Sequence, residues 1–348
     1  MNQKNILVLF GGTSPEHDIS MASATAVISA LGRHNVIPVY ITRKGQWLLY
    51  DGKLDNIKSI DWEKFGTPTV LSPDRTHRGL LRIVGDKVKI IPVDVVFPAL
   101  HGQDGEDGTI QGLCQLAGIP CIGCGVLSSA ISMDKAFAKI IAKSLKIPQV
   151  DYLVFRKEEM EDTAAVTKKI RYKLGYPCFV KPAVGGSSIG ITKAKNKEEL
   201  EVAIAEALKY ATKVVVEKGI NGRELEIGVL GNGAYAKASE VGEVIPDGEF
   251  YDFDAKYVKP DSKTLIPADI PEEAGQLIKK YALEMFKGVD GRGMARVDFF
   301  LDENGKVLLN EINTVPGYTN ISMYSKLWEK SGIPRQDLIE NLIELAVE

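Results

Sequence analysis

The chain has 348 residues, 45% apolar and 26% charged, the proportions of a soluble globular protein. That length predicts two or three domains and excludes intrinsic disorder, a fibrous repeat or a coiled coil as the main state. Its 43 basic and 46 acidic residues leave a net charge of −3, which gives no electrostatic case for nucleic acid or an anionic membrane as a partner.

No apolar run reaches the ~20 residues needed to cross a bilayer. Ile6–Phe10 is too short for the core of a signal sequence, so a cytoplasmic location is expected. Cys121 and Cys124 have C-x-x-C spacing but no second pair, and read as small buried thiols.

In chain order, Ile6–Phe10 reads as a buried strand ending in Gly11-Gly12. A helix is expected next, capped by a Thr13/Glu16 box with Pro15 in its first turn. Val36–Ile41 and Val93–Phe97 read as further strands, giving a parallel sheet with helices on its faces. Ligands of such sheets gather at the carboxyl ends of strands, where Gly11–Glu16 and His101–Gly108 lie. In the middle third, strands at Asp151–Phe155, Cys178–Lys181 and Lys213–Glu217 alternate with helices at Glu158–Lys173 and Asn196–Tyr210, an α+β arrangement. The last third is strand-rich: Glu224–Leu230, Ala234–Ile245, Gly293–Leu301 and Val307–Asn313. Pro271–Phe286 and Arg335–Val347 are amphipathic helices. The segment 246–267 has no clear period, and a loop of that length in a compact chain is usually functional.

Asn304-Gly305 signals a two-residue hairpin turn. That turn would set Asp298 opposite Glu311 and Arg296 opposite Asn313, all on one face. Directly opposed carboxylates, with Cβ atoms ~5 Å apart, repel each other. Two readings fit: a divalent cation held by hard oxygen ligands, or a solvated face on which Arg296 neutralises the acids. The loop from Thr314 to Thr319, which returns backbone NH groups to the same end, favours the first.

Lys181 ends a strand and is followed by Gly185–Gly190, a loop able to offer NH groups and hydroxyls to a phosphate. A flexible surface turn has the same pattern. The G-x-S-x-G around Ser188 is not a hydrolase elbow, because all four histidines precede it. Lys218–Gly222 could present backbone groups to an adenine edge, with Glu224 near a ribose, although a plain linker has the same composition. Lys135 reads alone as a surface lysine.

Together these residues resemble the bacterial D-alanine–D-alanine ligase family of ATP-grasp enzymes, over essentially the whole chain. The resemblance runs through Phe10–Glu16 (F-G-G-x-S-x-E), His101–Thr109 (H-G-x-x-G-E-D-G-T), Met133–Lys135 and Val180–Pro182. It continues through Gly186–Gly190 (G-S-S-x-G), Phe250–Tyr257 (F-Y-D-x-x-x-K-Y), Arg296–Asp298, Asn310–Thr314 (N-E-x-N-T) and Pro316-Gly317. It implies an ATP-grasp fold, α/β with an α+β ATP-binding part and an N-terminal Rossmann-like parallel-sheet domain. The divisions would be 1–123, 124–217 and 218–348, with 246–267 as a lid.

By the same resemblance the activity is ATP-dependent joining of two D-alanines through D-alanyl phosphate, for peptidoglycan synthesis. Lys135, Lys181, Ser188 and Lys256 would serve the phosphates. Glu217, Lys218, Ile220, Glu224, Phe250 and Asn310 would line the rest of the nucleotide site. Asp298, Glu311 and Asn313 would hold two Mg²⁺, with Mn²⁺ able to substitute. Arg296 and the Gly317 backbone would stabilise oxyanions. Glu16, Ser187 and Tyr257 would position the first D-alanine, with His101 nearby, and Ser322 and Met323 would contact the second. Tyr257 favours an amine over D-lactate, while a D-alanine–D-serine ligase or another ATP-grasp carboxylate–amine ligase remains the alternative. A homodimer is implied. Ser325 stands where many members have proline and predicts a looser local loop.

Overall fold

Ile6–Phe10 forms the buried middle of β1 (Asn5–Gly11), which leads through a glycine turn into α1 (His17–Ala30) and β2 (Asn35–Ile41). The computed structural model describes residues 2–54, 57–160, 162–245, 263–319 and 321–348. Phe250, Lys256 and Tyr257, with most of the expected lid, lie outside them.

The chain continues through β3 (Trp47–Leu49), α2 (Trp62–Phe65), β4 (Thr67–Leu71), β5 (Gly79–Val84), β6 (Lys87–Pro92) and β7 (Val95–Pro98). These strands form one sheet in the order β6-β5-β4-β3-β2-β1-β7. Only β2, β1 and β7 run parallel, and β3 to β6 extend the sheet antiparallel. The expected parallel sheet is therefore confined to one side. The antiparallel extension escaped the sequence because its outer strand, Lys87–Pro92, is exposed along nearly its whole length and carries no buried apolar run.

The expected Thr13/Glu16 box does not form either. The helix starts at His17, Glu16 makes no side-chain cap, and the Glu16 NH donates instead to the Ser14 hydroxyl at 3.1 Å. α3 (Thr109–Ala117), α4 (Val126–Met133) and α5 (Lys135–Ser144) follow. Asp134 caps α5, accepting from the NH groups of Ala136 at 3.0 Å and Phe137 at 3.2 Å.

The second sheet holds β8 (Tyr152–Arg156), β9 (Cys178–Pro182), β10 (Thr192–Ala194) and β11 (Lys213–Lys218) in the order β10-β9-β11-β8. α6 (Thr163–Lys173) and α7 (Lys197–Ala207) cover one face over Val180, Val214 and Val216. α6 is shorter than expected, because Asp162 caps it by accepting from Ala165 N at 3.0 Å. Period-two alternation then sends Phe179, Lys181, Val215 and Glu217 to the opposite face, part of which α5 covers through Ala136 on Val215.

The third sheet joins β12 (Gly222–Leu230), β13 (Lys237–Ile245), β14 (Lys263–Leu265), β15 (Met294–Asp302) and β16 (Val307–Asn313) in the order β14-β13-β12-β15-β16. Residues 263–265 thus belong to a sheet edge rather than to a loop. α8 (Glu272–Gly288) packs on Leu225, Ile227, Val297 and Phe299. The opposite face carries Glu224, Glu226, Arg296, Asp298 and Glu311 in register across three strands. After α9 (Met323–Lys330), the last helix α10 (Arg335–Val347) returns to the first sheet, where Leu338, Ile339, Leu342 and Ile343 join Ile6, Val8 and Phe10 in one core.

The β15–β16 hairpin reaches its expected register by an unexpected route. Leu301 pairs with Val307 and Phe299 with Leu309, one residue off what a two-residue turn requires. The loop has three residues: Asp302 N donates to Lys306 O at 3.1 Å, and Gly305 N donates to Asp302 O at 3.0 Å. Gly305 takes φ 78°, the left-handed residue that closes such loops. A bulge at Asn310 then restores the expected pairing, Asp298 with Glu311 and Arg296 with Asn313. The bulge also lets two consecutive side chains, Asn310 and Glu311, face the same cleft.

Replacing Gly305 by alanine places a Cβ in the left-handed region, at a cost of about 1–2 kcal/mol. We expect a lower thermal midpoint for Gly305→Ala and a smaller drop for Gly305→Asn. Melting curves of the two variants check this.

Candidate active site

The facing sides of the second and third sheets enclose a cleft of about 450 Å³. It brings together Lys135, Lys181, Ser187, Ser188, Glu217, Lys218, Ile220, Glu224, Asn310 and Glu311. The two walls differ in charge. Lys135 and Lys181 stand on the side of the second sheet, while Glu224, Glu226, Asp298 and Glu311 stand on the third with Arg296 among them.

Lys181 Nζ lies 2.6 Å from Glu217 Oε2, and Lys139 Nζ lies 2.6 Å from Glu217 Oε1. Burial alone would push the Glu217 carboxyl up, but the ammonium groups of Lys139 and Lys181 overcome this and hold it at about 2. Burial opposes the charge on Lys181 as well, and Glu217, with Glu311 and Glu224 farther off, keeps that ammonium protonated above its ordinary range. Lys181 Nζ also donates to Asn310 Oδ1 across the cleft at 3.4 Å. Lys135 Nζ donates to the Gly185 carbonyl at 2.7 Å, at the edge of the glycine loop.

On the facing wall, Arg296 donates from Nε and Nη2 to the two Asp298 oxygens, each at 2.8 Å, and its Nε lies 3.0 Å from Glu226 Oε2. Burial works against this guanidinium, and Asp298 and Glu226 hold its pKa above the ordinary value. Asn313 Nδ2 donates to Asp298 Oδ2 at 3.1 Å. Among the described residues, no group of three or more His, Cys, Asp and Glu side chains is arranged to hold a metal. Asp298, Glu311 and Asn313 supply two carboxylates and an amide oxygen. That set fits Mg²⁺, which completes its shell with phosphate oxygens and water.

A second cluster lies beside the glycine loop. The Ser187 hydroxyl donates to Glu16, and Glu16 is buried. Gly102 at φ 70° and Gly186 approach that carboxylate closely, and a Cβ at Gly186 would lie 3.0 Å from Glu16 Oε2. His101 is buried, with Nε2 bonded to Ser23 Oγ at 2.8 Å and Nδ1 to Glu106 Oε1 at 3.2 Å. A Cβ on Gly317 would sit 3.0 Å from Ser322 Oγ and 3.9 Å from His101 Cε1, so these three residues meet. A smaller cavity lined by Glu106, Lys135, Gly186, Glu311 and Asn313 joins this cluster to the cleft.

Met323 does not join it by its side chain, which packs with Val244, Leu327 and Ile266 in an apolar cluster. Ser325 does not loosen its surroundings. It lies inside α9, donates to the Ser322 carbonyl at 3.2 Å and accepts from Arg335 Nη2 at 3.2 Å. The cysteines are free thiols; Cys124 donates to the Met294 carbonyl at 3.4 Å, and burial pushes it up to about 12.

Lys139, Glu226, Phe179 and Phe300 escaped the sequence reading. Each had a signal: Lys139 follows Lys135 at i+4 on a helix. Phe179 and Glu226 lie two residues from Lys181 and Glu224 on the same strand faces, and Phe300 pairs with Glu224.

A nucleotide-sized cleft between two antiparallel sheets, lysines on one wall and carboxylates on the other, defines the ATP-grasp fold. Comparison with known proteins narrows this. A family model described as "D-ala D-ala ligase N-terminus" matches residues 5–124, and one described as "D-ala D-ala ligase C-terminus" matches residues 141–344. A D-alanine–D-alanine ligase of Acetivibrio thermocellus is 50% identical over 365 residues, covering 100% of this chain and 96% of its own. One from a Thermoanaerobacter species is 49% identical over 352 residues, covering 100% and 98%. Among solved structures, the VanG D-Ala:D-Ser ligase from Enterococcus faecalis matches with a TM-score of 0.89 and 38% identity, over 99% of this chain and 100% of that one. The D-alanine–D-alanine ligase from Coxiella burnetii matches with a TM-score of 0.85 and 34% identity, over 99% and 95%. The chain belongs to the D-alanine–D-alanine ligase family.

Glu217 is held below the 4.5 of a free carboxyl, at about 2. Its ion pairs therefore stabilise the fold fully above about pH 4.5, and that stabilisation is lost as pH falls toward 2. Glu217→Gln leaves two buried ammonium groups without a counter-charge, at a cost on the order of 3 kcal/mol at neutral pH. Urea midpoints should show that gap at pH 7 and a much smaller one near pH 3.

Proposed function

We propose that this protein joins two D-alanines to D-alanyl-D-alanine at the expense of ATP. The observation that carries the reading is the cleft itself, an ammonium wall facing a carboxylate wall, in a chain whose full-length relatives at 49–50% identity are D-alanine–D-alanine ligases. ATP would lie between the sheets, its adenine near Glu217, Lys218 and Ile220, its ribose near Glu224 and its phosphates along Lys135, Lys181 and Ser188. Phe250 and Lys256 would complete the nucleotide site from the segment 246–267. Asp298, Glu311 and Asn313 would hold two Mg²⁺, which when bound neutralise phosphate charge and align the oxygens of the transfer.

The first D-alanine would bind beside Glu16, Ser187 and His101, with Tyr257 closing over it. Its carboxylate attacks the γ-phosphorus and ADP leaves, giving D-alanyl phosphate. Lys135 and Lys181 offset the negative charge that builds up in this step. The second D-alanine would sit against Ser322 and the first turn of α9. Its amine attacks the acyl carbonyl and phosphate departs. Arg296 and the Gly317 NH would stabilise the oxyanion formed. Asp298 and Glu226 hold the guanidinium in place, so its orientation costs little at the moment of reaction. Closure of 246–262, the segment before β14, would keep water from the acyl phosphate. The reading includes a homodimer in the cytoplasm.

A second reading, D-serine as acceptor, is favoured by the similarity to the VanG D-Ala:D-Ser ligase. The 49–50% identity of the Acetivibrio and Thermoanaerobacter D-alanine–D-alanine ligases, against 38% for that enzyme, puts it second. Release of ADP and phosphate should depend on D-alanine, with D-alanyl-D-alanine as the dominant product by mass; D-alanyl-D-serine as the main product from an equimolar mixture would reverse the order. The double variant Asp298→Asn/Glu311→Gln should lose turnover at least 10³-fold, an order-of-magnitude figure for removing electrostatic stabilisation at phosphoryl transfer. Full activity in it would remove the metal assignment.

A further inference from the structure

Lys139 is as close to Glu217 as Lys181 is, yet the two lysines have different surroundings. Lys181 lines the cleft and reaches toward Asn310 on the far wall. Lys139 is buried beside the cleft and is absent from its lining. Its side chain is 4% exposed, its Nζ stands 5.0 Å from the centre of the Tyr152 ring, and its carbonyl accepts from Gln149 Nε2 at 2.9 Å. Both lysines share one face of α5; Lys135, at the start of the helix, lines the cleft, while Lys139, one turn further in, is buried.

One carboxylate cannot neutralise two ammonium groups, so the Lys139–Glu217–Lys181 cluster keeps a net positive charge in a buried setting. Lys181 has two stations, Glu217 at 2.6 Å and Asn310 at 3.4 Å beside Glu311. Without Lys139, moving Lys181 from the first toward the second would strand a buried carboxylate, which is heavily penalised.

We propose that Lys139 is a positioning residue: it holds the Glu217 carboxylate from outside the cleft lining, so that Lys181 is free to leave it and take the phosphates of the nucleotide. This rests on the nucleotide-binding reading above. Lys139 touches no ligand and acts through Glu217. Its removal turns Glu217 and Lys181 into a closed, neutral pair, and the phosphates meet a lysine already engaged.

Lys139→Met keeps an unbranched apolar chain in the buried slot and leaves Glu217 paired, so the variant should fold; circular dichroism and a melting curve verify that. Titration calorimetry with Mg²⁺ should show ATP and ADP binding weakened about tenfold or more, the scale of one charge at short range in a partly screened site. Adenosine, which has no phosphates, should change by less than about threefold on the same scale. The KM for ATP should rise with it while the KM for D-alanine stays, and Lys139→Arg, which keeps the charge, should recover most of the ATP affinity. Equal weakening of ATP and adenosine, or no weakening of ATP, would overturn the proposal by leaving Lys139 a packing residue. Wild-type protein that bound no ATP would overturn the nucleotide reading beneath it, a distinct result.

Discussion

Strand alternation is the constraint on which the rest of this molecule depends. Each of its two C-terminal sheets must be apolar on the face that packs against helices and polar on the other. α6 and α7 cover the apolar side of the second sheet, and α8 that of the third. The polar faces then meet, and they carry opposite signs. A wall of ammonium groups opposes a wall of carboxylates across a cleft of about 450 Å³. A polyphosphate with divalent cations satisfies both walls at once, anion toward the lysines and cations toward the acids. The chemistry proposed for the site is a consequence of that mismatch.

Local charge management keeps the arrangement folded. On one wall Glu217 sits between Lys139 and Lys181, and on the other Arg296 sits between Asp298 and Glu226. Each centre is buried and paired, and each leaves capacity for a ligand: an excess ammonium in the first, carboxylate lone pairs in the second. The first sheet contributes from the side. The turn after β1 delivers Glu16 to Ser187, and the loop after β7 delivers His101 to Gly317 and Ser322, so the proposed amino-acid site lies where three parts of the chain meet. α10 ties the end of the chain back onto the first sheet, with Glu340 accepting from Arg33 and meeting His34 Nε2 at 3.1 Å.

The hairpin shows how a correct outcome can hide two departures. A two-residue turn at Asn304-Gly305 predicts Asp298 opposite Glu311. The loop has three residues, and the bulge at Asn310 returns the register to that pairing. Bulges are common beside active sites because they re-aim side chains, and here one turns Asn310 and Glu311 toward the same cleft. The polar pattern on the two strands was legible in the sequence because it depends only on alternation, whereas the bulge depends on what the neighbouring strand and Pro148, whose carbonyl accepts from Leu309 N at 2.8 Å, impose on the backbone.

By itself, the sequence determined the longer strands and helices of the C-terminal parts, though not β10, β14 or α9, together with the opposition of Asp298 and Glu311 and the motifs that place the chain in its family. These follow from short-range rules of alternation, helical spacing and turn chemistry. Tertiary structure decided what those rules do not reach. Glu16 looked like half of a capping box and instead accepts from a serine 171 positions away. The Met323 side chain, at the start of α9, packs on Val244, Leu327 and Ile266. The outer antiparallel strands of the first sheet bury too little to announce themselves. Lys139 had only a helical spacing to mark it, because its partner Glu217 stands on another element. Long-range pairing of charges depends on which faces come together, and that is settled only when the sheets have closed on each other.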